Sequence, residues 1–240
     1  MTWGEPHRHV TICSSTNTLA ADWFREEPLL PEGALVSSDC QTHGRGRRGR
    51  TWSASDSDSI LMSVVLRPTD ATSALSQLGF VASLAVIEAL SVRGLICNTK
   101  WPNDVLVNDR KICGVLIETV NADDGLVAIV GVGINCHQNS FPTEHGFRLP
   151  PTSILMETGQ VCNRQDLMLD VVNQIGYWET ERRREHGWKT ILNSWKQSLR
   201  IGSMLVRNDE AGTVVDVMPD GAAKVQLPDG TFIVWTSVDG

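Results

Sequence analysis

The chain has 240 residues and a mass of 26.4 kDa, enough for one large domain with a small appendage and a substantial core. Apolar residues make up 41% and charged ones 20%, and mean hydropathy is −0.11, which excludes a disordered or fibrous chain. The formal charge of −7 excludes a protein that coats nucleic acid with its whole surface, although a local basic loop can still grip phosphates. Cys13, Cys40, Cys97, Cys113, Cys136 and Cys162 stand far apart with no C-x-x-C pair, so they read as reduced thiols and signal neither zinc nor a disulfide framework. No segment approaches the ~18 apolar residues that span a bilayer, and the polar N-terminus carries no signal-peptide core; a cytoplasmic protein without membrane contact is expected.

In chain order, short β-branched runs at 10–13, 34–38, 60–66, 95–100, 104–107, 112–120 and 126–132 predict strands. A short helix is expected after Ser14-Ser15-Thr16-Asn17, whose hydroxyl and amide groups can cap its free N–H groups. The clearest helix covers 71–92, where Leu75, Leu78, Val81, Leu84 or Ala85, and Ile87 recur every three or four residues and should cover one sheet face. The polar turn Asn108-Asp109-Arg110 predicts antiparallel pairing of the strands on either side, with Lys111 opening the second. Amphipathic patterns at 164–185 and 188–199 predict two further helices, expected on the remaining sheet face. Beyond Gly202, four short runs at 204–206, 212–217, 222–227 and 232–235, separated by Asp-Gly and Pro-Asp turns, predict a small antiparallel barrel. The fold class is therefore α+β: a mixed central sheet with helices over 1–199, then the small barrel over 200–240.

The chemistry concentrates in Gly44-Arg45-Gly46-Arg47-Arg48-Gly49-Arg50-Thr51-Trp52. Glycines let the backbone turn sharply and approach a ligand, and the arginines supply planar, permanently charged forks for carboxylate or phosphate oxygens. A solvated nucleic-acid patch is one alternative, weakened by the acidic body of the protein. A phosphate-binding P-loop is another: Gly44 to Thr51 fits its spacing with Arg50 in place of lysine, but Trp52-Ser53-Ala54-Ser55-Asp56-Ser57 does not read as the helix start that motif requires.

Four blocks in order carry a family resemblance: Ser14-Ser15-Thr16-Asn17; Gln41-Thr42-His43 running into the arginine loop; Lys100-Trp101-Pro102-Asn103-Asp104 with Arg110-Lys111-Ile112-Cys113-Gly114 and Glu118; and Gly131-Val132-Gly133-Ile134-Asn135. The chain resembles the biotin protein ligases, which activate biotin as its adenylate and attach it to a carrier lysine. The resemblance implies a biotin-lipoate ligase catalytic domain, similar to class II aminoacyl-tRNA synthetases, followed by a Src-homology-3-like barrel. It implies that Ser15, Thr16, Asn17 and Gln41 serve the ureido end of biotin, with Gly44, Arg45, Gly46, Arg47, Lys111, Gly114 and Gly133 completing the biotin site. Lys111 would contact the biotin carboxyl and the α-phosphate, and Arg45 and Arg47 would close over the acyl-adenylate. Arg47, Arg50, Trp52, Lys100, Asn103, Asp104, Lys111 and Asn135 would bind ATP or the adenylate, with Asp104 a candidate base or orienting group for the transfer step. No fixed metal site is implied; Mg²⁺ would arrive with ATP, Asn103 or Asp104 offering oxygen ligands.

For the bland readings, Ser15 and Thr16 could simply cap a helix, Asp104 could be a turn carboxylate, and Asn135 could end a strand. Expected partners are biotin, ATP and a biotin carboxyl carrier protein, with a weak or ligand-promoted homodimer compatible with the resemblance. Because the ligand motif begins at residue 14, no DNA-binding domain is expected before it. Lipoate ligases and octanoyl transferases of the same fold are the alternative; the basic loop and Lys-Trp-Pro-Asn-Asp favour biotin.

Overall fold

A computed structural model describes residues 2–53, 57–68, 71–123, 125–142, 149–207 and 210–236, with the side chains of 71–74 outside that description. The elements are β1 (His7–Cys13), α1 (Thr16–Glu26), β2 (Leu35–Gln41), β3 (Ser59–Leu66), α2 (Ala71–Ser91), β4 (Asn98–Lys100), β5 (Asp104–Val107), β6 (Arg110–Ala122) and β7 (Gly125–Asn135). There follow α3 (Ile154–Thr158), α4 (Arg164–Arg182), α5 (Gly187–Gln197), β8 (Met204–Arg207), β9 (Glu210–Val217), β10 (Ala223–Gln226) and β11 (Phe232–Trp235).

Seven strands form one mixed sheet in the order β1-β2-β3-β7-β6-β5-β4, parallel only between β1 and β2, where α1 makes the crossover. The predicted hairpin between β5 and β6 is present. Its turn is tighter than expected: Asn108 and Asp109 both take positive φ, 49° and 60°, as a two-residue type I′ turn needs, and Arg110 already belongs to β6.

The helices are arranged differently from the sequence expectation. α4 and α5 do not cover the free face of the sheet; they pack onto α2, on the same side. The second face is covered by α1, through Ala20, Trp23 and Phe24 against Val36, Val65, Val127 and Ile129. The reason lies in α2, which is apolar around most of its circumference: Leu78, Phe80, Val81, Leu84, Ala85, Val86 and Leu90 are all buried, so this helix must be enclosed on both sides. Phe80 meets the rings of Trp188 and Trp195 at centroid distances of 5.3 and 4.5 Å, and Trp195 donates its indole N–H to Ser83 Oγ at 3.1 Å.

Strands β8 to β11 form a separate antiparallel sheet, each pairing with the next. This sheet is fastened to the β4–β5 turn and to α5: Trp101 donates to the Gly221 carbonyl at 3.0 Å, Trp188 to that of Pro219 at 2.6 Å, and Lys196 pairs with Asp216 at 2.8 Å. The attachment brings Leu205, Val206, Arg207 and Trp235 to the rim of the cavity described next.

Candidate active site

The cavity, about 930 Å³, lies where β2 and β7 end and β6 begins, beneath the arginine loop. At one end a polar cluster is built from α1, β2 and β3. Thr16 donates its backbone N–H to Gln41 Oε1 at 2.7 Å and its hydroxyl to the same atom at 3.1 Å, while Ser63 Oγ lies 2.8 Å from Thr16 Oγ1 and 2.6 Å from Asn17 Oδ1. The capping expectation is corrected here. Ser15 occupies the N-cap of α1 but its side chain makes no capping bond, and the first-turn donor at Thr16 is satisfied by Gln41 instead. The short polar side chains at this helix start are thus turned toward the cavity.

Asn17 donates to Glu118 Oε2 at 2.7 Å, and Arg45 clasps the same carboxylate, Nη2 to Oε2 at 2.8 Å and to Oε1 at 3.1 Å, with Nη1 donating to Thr18 Oγ1 at 2.9 Å. Glu118 therefore couples the loop to the polar end. The sequence reading quoted it within a motif without assigning it a role, and it omitted Ser63 and Gly131 from the site. A Cβ on Gly131 would stand 2.4 Å from Asn17 Oδ1, so only bare backbone lets that amide lie against β7.

The loop is closed on itself, with Gly46 N–H donating to Arg50 O at 2.7 Å, Trp52 N–H to Gly44 O at 2.9 Å, and one 3-10 turn at Arg47–Gly49. No α-helix follows it before β3 among the described residues, as the P-loop alternative would need; residues 54–56 of that reading lie outside them. The Trp52 indole rests across Gly114 and Gly133, where added Cβ atoms would stand 2.9 and 2.6 Å from the ring, and its buried N–H finds no partner among the described residues.

Lys111 Nζ is 5.4 Å from the centre of that ring and 2.6 Å from Asp104 Oδ1. Its backbone is clamped: Lys111 N–H donates to Pro150 O, its carbonyl accepts from Thr152 N–H, both at 2.9 Å, and Asn135 Nδ2 reaches the Lys111 and Thr152 carbonyls at 3.4 and 2.9 Å. Asn103 is pinned by its amide donating to the Val115 carbonyl. Arg47 is half-buried, and burial followed by the neighbouring Arg48 and Arg50 lowers its pKa against the opposing pull of Asp104. A concentration of cations this close disfavours its own charge and favours an incoming anion.

The cavity brings together Ser15, Thr16, Asn17, Gln41, Arg45, Gly46, Arg47, Arg50, Trp52, Lys100, Asn103, Asp104, Lys111, Gly114, Gly133 and Asn135. Gly44 is the exception. It is buried behind Trp52, where a Cβ would meet the Trp52 carbonyl at 2.4 Å, and it lines a smaller cleft beside the first. His43 is exposed, with Nδ1 2.9 Å from Thr42 Oγ1, and lines neither cavity. Among the described residues no cluster of histidine, cysteine or carboxylate side chains could hold a metal ion by itself, and no helix is long and apolar enough to cross a membrane.

Residues 10–135 match the sequence profile of the biotin/lipoate A/B protein ligase family, a span that takes in all four motif blocks. The chain belongs to that family. It is 30% identical over 237 residues to the biotin--[acetyl-CoA-carboxylase] ligase of Paracoccus denitrificans, covering 93% of this chain and 96% of that one. It is 34% identical over 210 residues to the bifunctional ligase/repressor BirA of Bacillus subtilis, where the match takes in 84% of this chain but spans only 62% of the relative's length. Among solved structures, the biotin protein ligase of Aquifex aeolicus in complex with biotin and ATP superposes with a TM-score of 0.80 at 27% identity, covering 96% of each chain. For this member of the family, the mixed sheet and the appended antiparallel sheet are therefore a shared architecture.

Proposed function

We propose that the chain is an ATP-dependent ligase that activates biotin as biotinoyl-5′-AMP and transfers the biotinoyl group to a lysine of a biotin carboxyl carrier protein. The observation that carries this reading is one cavity with a neutral hydroxyl and amide end, a bare-glycine floor and a cationic far end. Biotin has the matching layout: a ureido ring that both donates and accepts, an apolar body, and a carboxylate.

In the first step a biotin carboxylate oxygen attacks the α-phosphorus, and the bond to the leaving pyrophosphate breaks. Two anions must approach, so fixed positive charge from Lys111, Arg47 and Arg50 is what the protein contributes most to the barrier. Asp104 holds Lys111 through one oxygen. Its other oxygen and the Asn103 side-chain oxygen are hard donors suited to Mg²⁺ brought by ATP, which would neutralise phosphate charge there. Arg45 latched to Glu118 and Trp52 lying over the glycines close the cavity, and closure keeps water from the mixed anhydride. In the second step the carrier amine, once deprotonated, attacks the adenylate carbonyl and AMP departs; Asp104 is the nearest carboxylate to Lys111 available to orient it.

Biotin-dependent exchange of pyrophosphate into ATP, followed by biotin transfer to a purified carrier domain, tests the reading. Lipoate and octanoate serve as competitors. Preferential adenylation of either of those acids over biotin would overturn it.

A further inference from the structure

Strand β6 lays Gly114, Leu116 and Glu118 along the cavity side, at every second residue. Carried back by the same alternation, Ile112 would face the cavity and Lys111 would face the opposite way. The structure has the reverse: Ile112 is fully buried in the core shared with α2, and Lys111 lines the cavity. A β-bulge makes the exchange. Leu106 pairs with Lys111, but its neighbour Val105 pairs with Cys113, so β6 contains one extra residue, Ile112, and the side-chain alternation is reset. Two residue pairs, Val107 with Arg110 and Leu106 with Lys111, lie between the bulge and the turn. So short a ladder holds its register weakly, because a one-residue slip breaks few hydrogen bonds.

One carboxylate grips the chain around this bulge. Glu157, on α3, has a side chain only 3% exposed. Its Oε1 accepts from Arg110 Nη2 at 2.8 Å and from the Thr152 hydroxyl at 2.6 Å, and its Oε2 accepts from Asn108 Nδ2 at 2.8 Å. Asn108 is one of the two turn residues at positive φ, Arg110 directly precedes Lys111, and Thr152 is the residue whose N–H binds the Lys111 carbonyl. The helix that carries Glu157 is itself anchored to the chain beyond β7: Leu155 N–H donates to Cys136 O at 2.9 Å, and Ser153 Oγ to Gln138 O at 2.5 Å. A buried carboxylate with three donors is a strong, directional clamp, and removing it strands those donors. Glu157 lines neither cavity, so it reaches the chemistry through Lys111.

We propose that Glu157 is a positioning residue for adenylation, clamping the bulge that turns Lys111 into the cavity. The clamp stands on the geometry alone; its consequence for the rate rests on the ligase reading above. With Glu157 in place the Lys111 ammonium is held 2.6 Å from Asp104 Oδ1, at the cationic end of the cavity. Without it Lys111 keeps its charge but loses a fixed direction, and a misplacement of about 1 Å at a reacting centre costs up to ~10²-fold in rate.

The test compares the whole wild-type chain with Glu157→Ala and Glu157→Gln. Amide hydrogen exchange, resolved residue by residue by NMR, should be about ten-fold faster at Lys111 and Thr152 in Glu157→Ala, with Val130 and Val132 of β7 unchanged as internal controls. Biotin-dependent ATP–pyrophosphate exchange should lose kcat by on the order of 10–10²-fold, with biotin KM moving far less because the polar end of the cavity is untouched. In a Lys111→Ala background the same substitution should lower that activity by no more than about two-fold, since the group it positions is gone. Glu157→Gln preserves side-chain volume and should move each readout the same way by a smaller factor, so it carries the test should the alanine variant not fold. Unchanged Lys111 and Thr152 amides in both variants, or a rate loss that multiplies in full with that of Lys111→Ala, overturns the proposal. Absence of biotin-dependent exchange in wild type overturns the ligase reading instead, and the amide measurement then decides the clamp by itself.

Discussion

Replacing Lys111 with alanine separates the charge of the site from the stability of the fold. Lys111 Nζ pairs with Asp104 Oδ1 at 2.6 Å, the two side chains being 29% and 22% exposed. A pair this open to solvent contributes no more than about 1 kcal/mol. The backbone of Lys111 is held independently of its side chain by Pro150, Thr152 and Asn135. Lys111→Ala should therefore lower Tm by only ~2–4 °C in a chain of this size. The rate effect is larger. A cation about 4 Å from charge developing on the α-phosphate is worth about 4 kcal/mol at an effective dielectric of ~20. Losing one such contact in other enzymes costs ~3–4 kcal/mol, or ~10²–10³ in kcat. Biotin-dependent ATP–pyrophosphate exchange should fall by that factor while the melting curve stays nearly in place. Exchange within about ten-fold of wild type, with folding intact, would refute the electrostatic argument.

Arg45→Ala and Arg47→Ala should leave adenylate formation measurable but release the intermediate, seen as free biotinoyl-adenylate in the medium; full retention counts against a closing loop. Glu118→Gln removes the charge that Arg45 clasps yet keeps an acceptor for Asn17, so biotin KM should rise several-fold with adenylation kcat little changed and Tm within about 2 °C. The opposite split, kcat falling at constant KM, contradicts the positioning role. Gly131→Ala forces a Cβ to within 2.4 Å of Asn17 Oδ1. Overpacking of that kind costs ~1–3 kcal/mol, and calorimetry should record lost biotin binding together with a lower Tm; normal binding would mean that Asn17 can yield without consequence.

Local chemistry written along the chain was enough to read several features: the strand and helix periods, the hairpin joining β5 to β6, the arginine loop, and the motif blocks whose residues share the cavity. These are short-range properties, set by side-chain alternation, turn dihedrals and residue type within a few positions. Two matters belonged to the tertiary structure alone. The placement of α4 and α5 on α2 depended on how far around its circumference α2 is apolar, compared with what each sheet face had left to cover. The part played by Glu118 required β6, α1 and the loop to meet, since a carboxylate on a strand carries no sign of the arginine and the amide that will share it.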